Sequence, residues 1–143
     1  ELFASVRQFY NMYTQNKDVS FEISVDQKEI FSGDKALLEL ILHNLLSNAF
    51  KYQRKGQENQ YVKLSVNVSE HKATIVVSDN GIGISPEYVE DIFKLFFRAS
   101  DQAKGMGFGL YNVQNALLKL QGKIEVQSEP NQGTTFTVVI PSK

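Results

Sequence analysis

The sequence predicts an α+β fold, a two-layer sandwich in which a mixed, mostly antiparallel sheet carries helices on one face. Segments with apolar residues at helical spacing alternate with segments in which every second residue is apolar, in the order α, β, β, α, β, β, α, α, β, β. Most neighbouring strands are joined by short turns, which favours antiparallel pairing. The 143 residues suffice for one hydrophobic core and are too few for two domains of ordinary size.

Three elements are predicted before residue 34. Residues 2–15 carry apolar side chains at helical spacing and predict a helix. Residues 19–25 alternate strictly between apolar and polar side chains, which indicates a half-buried strand. Ile30 and Phe31 predict a short second strand, and residues 32–34 form a turn that can cap the next helix.

The longest predicted helix covers residues 34–53, and one of its faces is almost purely aliphatic. A polar loop at residues 54–60 follows it. The remaining predicted elements are strands at 61–68 and 73–77, a glycine-rich loop at 78–85, a short helix opened by Ser85, Pro86 and Glu87, an aromatic cluster at 92–97, a polar glycine-rich segment at 98–109, a helix at 110–121 stopped by Gly122, and strands at 123–128 and 134–140.

Composition excludes several classes of protein. Lys and Arg number 15 and Asp and Glu 16, and the resulting net charge of −1 argues against a nucleic-acid-binding domain. The chain has no Cys, which excludes disulfides, thiolate zinc sites and Cys nucleophiles. Polar residues interrupt the longest apolar stretches, so no transmembrane segment is predicted. We expect a cytoplasmic domain, and because the chain starts at Glu1 rather than Met, we expect its natural N-terminus upstream.

The predicted long helix carries a polar stripe. Asn44, Asn48, Lys51 and Lys55 are four, three and four residues apart and therefore share one face. Asn is a modest helix former, so two Asn in mid-helix cost helical propensity. An amide oxygen suits Mg²⁺, and a Lys ammonium suits phosphate oxygens. The alternative for this stripe is an ordinary solvated face.

The glycine-rich loop begins with Asp79-Asn80-Gly81-Ile82-Gly83, directly after a predicted strand. A carboxylate at a strand end can accept a hydrogen bond from the exocyclic amine of a purine. Gly81 and Gly83 would let the backbone approach a flat base closely. The alternative is a simple turn, since Asn-Gly is a common turn sequence.

A second glycine-rich sequence, Gly105-Met106-Gly107-Phe108-Gly109-Leu110, runs directly into a predicted helix. Alternating glycines free backbone N–H groups, and a helix N-terminus attracts phosphate. The sequence is neither a dinucleotide-binding fingerprint nor a Walker P-loop. Arg54, Arg98 and Lys104 could also collect around a polyphosphate. The alternatives are a flexible connector and solvated basic residues.

Together, these segments resemble the catalytic, ATP-binding domain of sensor histidine kinases in two-component signalling, a branch of the GHKL superfamily. The resemblance covers residues 18–141, and it implies the Bergerat ATP-binding fold. Five segments carry it in the family's order: residues 40–52 resemble the Asn box, 79–84 the first glycine box, 92–98 the Phe box, 105–110 the second glycine box, and 133–141 the closing strand.

The resemblance implies roles at the adenine end of the site. Asp79 would accept a hydrogen bond from the adenine amino group, with Thr134 assisting through a water molecule. Tyr52 would line the nucleotide. Gly81, Gly83 and Ile84 would also contact ATP.

The resemblance also implies roles at the phosphate end. Asn44 and Asn48 would hold Mg²⁺ and phosphate, and Lys51 and Arg98 would contact phosphate, which makes these four the expected catalytic residues. Residues 98–109 would form a lid. Phe93 and Phe96 would anchor the base of this lid. The expected ATP contacts at this end are Phe96, Gly105, Gly107, Phe108, Gly109 and Leu110.

The resemblance implies transfer of the ATP γ-phosphate to a His on a separate dimerisation domain, followed by relay to the receiver domain of a response regulator. His43 and His71 stand in the Asn box and in a hairpin, so we expect neither to accept phosphate. We therefore expect one catalytic domain, with its core at 18–141 and an N-terminal helix at 1–17. It would lack the dimerisation domain, bind neither nucleic acid nor membrane, and be a monomer alone and a homodimer in the full-length protein.

Two other functions stay open from the residues. One is a degenerate kinase that binds nucleotide without transferring phosphate. The other is a related GHKL ATPase or protein-serine kinase. The ATPases place a Glu one helical turn before the metal-binding Asn to activate water. Here that position holds Asn44, so we expect negligible ATP hydrolysis.

Overall fold

The structure is a computed structural model that describes residues 19–52, 59–93 and 109–143. The predicted helix at 2–15 and the segment at 94–108 lie outside these ranges. The elements are β1 (Ser20–Gln27), α1 (Lys35–Lys51), β2 (Tyr61–Ser69), β3 (Lys72–Asp79), a short 3₁₀ helix (Pro86–Tyr88), α2 (Gly109–Leu120), β4 (Lys123–Glu129) and β5 (Gly133–Pro141).

The five strands form one mixed sheet in the order β1-β2-β3-β5-β4. The pairs β2–β3, β3–β5 and β4–β5 are antiparallel, as predicted. The first strand pairs with β2 in parallel, because the chain crosses over through α1 between the two strands instead of turning back in a hairpin. The predicted mixed, mostly antiparallel sheet is confirmed.

The predicted strand at Ile30 and Phe31 is wrong. The N–H of Lys28 still bonds to the carbonyl of Val68 at 2.9 Å, but β2 ends at Ser69 and offers Ile30 no further partner. Ile30 is therefore 87% exposed, whereas Phe31 packs against the core. Hydrophobicity alone indicated a strand where no neighbouring strand edge exists.

The predicted long helix is confirmed with slightly narrower bounds. Asp34 caps α1, since its Oδ1 accepts a hydrogen bond from the N–H of Leu37 at 3.2 Å. The last helical hydrogen bond joins the N–H of Tyr52 to the carbonyl of Asn48 at 3.1 Å. Six aliphatic residues of α1 are buried: Leu38, Ile41, Leu42, Leu45, Leu46 and Ala49.

The end of α2 differs from the prediction in one detail. Gln121, not Gly122, adopts the left-handed conformation, with φ of 59°. The N–H of Gly122 then bonds to the carbonyl of Leu117 at 2.9 Å, which completes a Schellman motif. Gly122 is needed for space, because an added Cβ would lie 2.8 Å from the Leu117 side chain and 2.9 Å from the Val139 carbonyl oxygen.

The core lies between the two helices and one face of the sheet. Every second residue of β2, β3 and β5 is buried there, while the residues between them face the other side. Val113, Ala116, Leu117 and Leu120 cover the same core from α2. The helices therefore lie on one face of the sheet, as the alternation predicted.

Candidate nucleotide-binding site

Three polar side chains form a row across one end of the sheet. Asp79 ends β3 and is the cross-strand partner of Thr134 on β5, which in turn is the partner of Ser128 on β4. Cross-strand partners point to the same face, which here is the face covered by helices. Asp79 is 8% and Thr134 7% exposed, and they are the two buried polar residues in the described part of the chain.

The carboxylate of Asp79 is held by backbone donors. The N–H of Gly81 donates to Oδ1 at 2.8 Å, and the backbone N–H of Thr134 also donates to this carboxylate. Burial raises the pKa of Asp79 from 3.8 to about 6, and the two hydrogen bonds partly oppose that rise. At neutral pH the group is mostly ionised, and an ionised carboxylate only accepts hydrogen bonds.

The loop after Asp79 packs backbone to backbone against α1 and against the β4–β5 turn. A Cβ on Gly81 would lie 2.2 Å from the carbonyl oxygen of Tyr52, and a Cβ on Gly83 would lie 2.0 Å from that of Glu129. Gly83 also has φ of 71°. The N–H of Ile82 bonds to the carbonyl of Tyr52 at 2.8 Å. The protein's own backbone therefore requires both glycines, a reason absent from the sequence reasoning.

Asn80 closes the other side of this loop and has no role in the predicted site. Its Oδ1 accepts a hydrogen bond from the N–H of Tyr61 at 2.9 Å. Its Nδ2 donates to the carbonyl of Asn59 at 2.9 Å. Asn80 thus binds the entry of β2 to the loop that carries Asp79. The motif contained this residue, but only the register shows what its amide contacts.

Ser128 is a second residue that the sequence reasoning missed. Its Oγ accepts a hydrogen bond from the N–H of Ile84 at 2.8 Å and donates to the carbonyl of Gly133 at 2.9 Å. The same oxygen lies 2.8 Å from Oγ1 of Thr134. A signal was present, because a polar residue here continues the inward-facing series that Ile124 and Val126 begin on β4.

The polar stripe of α1 leads toward this loop. Asn44 donates from Nδ2 to the carbonyl of Leu40 at 2.9 Å, which leaves its Oδ1 as the group available to a cation or donor. Asn44 and Asn48 are half-buried, and Lys51 is exposed. The carbonyl of Tyr52, one residue further, accepts the hydrogen bond from Ile82. The end of α1 and the Asp79 loop are thereby in contact.

The described ranges contain the predicted site only in part. Ile84 and Leu110 are half-buried and pack against the core, and Gly109 is the first residue of α2. The half-buried Phe93 also packs on the core. The predicted residues outside the described ranges are Phe96, Arg98, Gly105, Gly107 and Phe108, with the basic residues Arg54, Lys55 and Lys104.

Two features are absent from the described residues, a metal-ligand cluster and a membrane-spanning helix. Residues 19–52, 59–93 and 109–143 contain no group of three His, Cys, Asp or Glu side chains suited to a metal ion. No helix in these ranges is both long enough and apolar enough to cross a membrane.

Known proteins similar to this chain are sensor kinases. Residues 33–143 match the family described as histidine kinase-, DNA gyrase B- and HSP90-like ATPase. The sensor-like histidine kinase SenX3 of Mycobacterium tuberculosis is 34% identical over 138 residues, which cover 93% of this chain and 33% of SenX3. The histidine protein kinase SaeS of Staphylococcus aureus is 33% identical over an alignment of 149 residues, covering 98% of this chain and 41% of SaeS. The chain thus spans well under half of either relative.

Solved structures with this fold include histidine kinase catalytic domains. The mycobacterial sensor histidine kinase MprB aligns with a TM-score of 0.77 and 26% identity, covering 99% of this chain and 92% of the solved chain. The catalytic domain of the histidine kinase ThkA aligns with a TM-score of 0.82 and 25% identity, covering 99% and 94%. The chain therefore belongs to the family of histidine kinase-, DNA gyrase B- and HSP90-like ATPases and is an ATP-binding catalytic domain of the sensor histidine kinase type.

Proposed function

We propose that this domain binds Mg-ATP with the adenine at Asp79 and the phosphates along the polar stripe of α1, and presents the γ-phosphate to a His on a separate domain. The observation that carries the proposal is the buried Asp79 carboxylate. Burying a charge is costly unless donors satisfy it. Two backbone N–H groups contact it, and a carboxylate can accept further hydrogen bonds. The amino group of adenine supplies such a donor.

At the other end of the proposed site, the metal and the phosphates would bind to the two Asn residues of α1. Oxygen ligands suit Mg²⁺, which keeps several waters and binds through phosphates as well. Asn44 satisfies its amide nitrogen on the helix, so its oxygen faces no competing role within the described residues. Lys51 is exposed at the last turn of α1, and we propose that its ammonium group contacts phosphate. From the resemblance alone, we also propose phosphate contacts for Arg98 and the second glycine box, of which residues 105–108 lie outside the described ranges.

Phosphate transfer then needs a partner. The relatives are sensor histidine kinases, so we propose a dimerisation domain with an acceptor His and, downstream, the receiver domain of a response regulator. The bound ATP supplies the phosphoryl group, and this chain's residues position it. A solved structure of similar fold, ShkA, was determined in complex with AMPPNP, which supports nucleotide binding here. We place the domain on the cytoplasmic side and propose that residues 18–141 form its core.

Hydrolysis of ATP is the second candidate function, and one contact disfavours it. A hydrolysing relative needs a general base one helical turn before Asn48, and this position holds Asn44. An amide has no basic site at neutral pH, and the nitrogen of Asn44 already donates to Leu40. We therefore propose that water at this site is not activated.

Calorimetric titration with ATP, with and without Mg²⁺, tests the binding proposal. Asp79→Asn should weaken ATP binding at least tenfold, since the neutral amide replaces a charged acceptor. Asp26→Asn is the matched control, because Asp26 is an exposed carboxylate at the far end of β1. The affinity of this variant for ATP should equal that of the wild type. Equal affinity in wild type and Asp79→Asn would remove Asp79 from the adenine site.

Phosphotransfer is tested by mixing the chain with a dimerisation domain from a related kinase and labelled ATP. Acid-labile phosphate should appear on that domain and not on this chain. Asn48→Ala should abolish the label, because the metal loses its ligand. Label on His43 or His71 would contradict the proposal, and free phosphate released at the rate of a chaperone ATPase would contradict the absence of a general base.

A further inference from the structure

We propose that Ser128 is a positioning residue that makes Thr134 a hydrogen-bond acceptor, and that it thereby selects 6-amino purines over 6-oxo purines at the adenine end of the site. The inference rests on the proposed function, because it assumes that a purine binds beside Asp79. It goes beyond that function by naming a residue that selects the base.

Only one arrangement of protons satisfies all three hydrogen-bond contacts of Ser128 at the same time. A serine hydroxyl has one proton and two lone pairs. The proton is donated to the carbonyl of Gly133 at 2.9 Å, and one lone pair accepts from the N–H of Ile84 at 2.8 Å. The contact to Oγ1 of Thr134 at 2.8 Å can then form only if Thr134 donates. Ser128 thus uses its full hydrogen-bonding capacity inside the protein.

Thr134 is left without a free proton. Its hydroxyl proton is committed to Ser128, so Oγ1 can only accept from any further partner. Asp79, the other cross-strand neighbour of Thr134, is also an acceptor when ionised. The two polar side chains at this edge of the sheet therefore offer a bound purine, or a water between them, lone pairs only.

Two neighbouring acceptors discriminate between purines with an amino group at position 6 and purines with an oxo group there. An adenine amino group donates and satisfies such an edge. In hypoxanthine or guanine the N1–H can still donate to Asp79, but the 6-oxo group is an acceptor that meets only lone pairs on Thr134, and buried acceptors without donors are penalised. Without Ser128 the Thr134 hydroxyl could rotate and donate to a 6-oxo group, so discrimination should fall.

The test measures Kd for ATP and for inosine triphosphate, which carries oxygen in place of the 6-amino group, and uses their ratio. Ser128→Ala should lower the preference for ATP roughly tenfold, the equivalent of one net hydrogen bond. Ser128→Thr keeps a hydroxyl and should restore the preference. An unchanged ratio in Ser128→Ala, including equal weakening of both nucleotides, would overturn the inference and leave only a structural role.

Two further variants separate a selective role from a general defect. In a Thr134→Val background no hydroxyl remains to be oriented, so Ser128→Ala should not change the ratio further. A further change there would contradict action through Thr134. Ser78→Ala is the matched control, since Ser78 and Thr135 form a neighbouring hydroxyl pair at 3.0 Å on the opposite face of the sheet. It should leave the ratio as in wild type.

Different measurements would refute the role of Ser128 and the proposed function. If Asp79→Asn leaves ATP binding intact, the proposed function fails. If Asp79→Asn weakens ATP binding at least tenfold while Ser128→Ala keeps the full preference for ATP, the proposed function stands and this inference alone fails. Thermal unfolding of each variant verifies that the folded domain is being titrated.

Discussion

The backbone N–H of Ile82 donates to the carbonyl of Tyr52 at 2.8 Å, which bonds the end of α1 directly to the loop after Asp79. The proposed metal and phosphate ligands lie on α1, and the proposed adenine ligand stands at the start of that loop. One short backbone contact therefore sets the distance between the two halves of the site. Gly81 makes this contact possible, because only a residue without Cβ fits beside the Tyr52 carbonyl.

Gly81→Ala should separate the loop from α1. The new Cβ would stand 2.2 Å from the carbonyl oxygen of Tyr52, so backbone must move. We expect a loss of stability of about 3 kcal/mol, at the upper end for overpacking, together with loss of ATP binding. Urea unfolding measures the first and calorimetry the second.

Gly33→Ala is the control for that change. Its Cβ would lie 3.0 Å from the ring edge of Phe31, a side chain that can shift. We expect a loss of under about 1 kcal/mol and normal ATP affinity. Similar losses in both variants would show that close backbone packing at Gly81 has no special importance.

Asp79→Asn should stabilise the domain while it weakens ATP binding. The folded pKa of Asp79, about 6, lies above the ordinary value of 3.8, so ionisation of the buried group opposes folding. The unfavourable contribution is absent below pH 3.8, grows as pH rises to about 6, and is constant above that. The neutral variant lacks it and should be more stable at pH 7.5 by up to about 3 kcal/mol.

The pH dependence makes this prediction specific. The advantage of Asp79→Asn should shrink to about 1 kcal/mol at pH 4.5, where the native carboxyl is already protonated. Urea unfolding of both proteins at pH 4.5, 6 and 7.5 measures it. A difference that does not change with pH would mean that the pKa of Asp79 is not raised.

Variants of Asn80 should separate the contributions of its two hydrogen bonds to the stability of the domain. Asn80→Asp can still accept from the N–H of Tyr61 but cannot donate to the carbonyl of Asn59, whereas Asn80→Ala does neither. We expect losses of about 1 kcal/mol and about 2 kcal/mol in the free energy of unfolding. Asn67→Ala, at an exposed position on β2, should stay within about 0.5 kcal/mol of wild type. Equal effects of all three would contradict a structural role for the Asn80 amide.

Gln121→Gly should stabilise the protein. Gln121 holds φ of 59° at the end of α2, a conformation that costs a residue with a Cβ roughly 1 kcal/mol and costs glycine little. We expect a gain of about 0.5–1 kcal/mol in thermal or urea unfolding. Gln114→Gly places the same substitution within α2 at an exposed position and should cost about 1 kcal/mol. A loss at both sites would exclude the left-handed cap.

Much of the sheet could be predicted because alternation reports which residues face a core. The series Val62, Leu64, Val66 and Val68 is buried as the pattern indicates. Alternation does not report which strand lies beside which, so the parallel neighbour of β1 was not predictable. It also does not show whether a partner exists at all, which explains the wrong strand at Ile30 and Phe31.

The candidate site, like the sheet, could be predicted only in part. Asp79 and Thr134 were predicted from a resemblance of motifs, and the register confirms that they are neighbours. Ser128 and Asn80 were missed because each forms hydrogen bonds to residues distant in sequence. Such bonds follow from strand register, which short motifs do not contain.

The two anchors of the Asp79 loop have a consequence for hydrogen exchange. The N–H of Ile82 bonds to the carbonyl of Tyr52 at the end of α1, and Asn80 bonds to Asn59 and Tyr61 at the start of β2. The amide protons of Ile82 and Tyr61 should therefore exchange with solvent only when the loop detaches from these two elements. Their common protection would report the closure of the loop without any bound nucleotide.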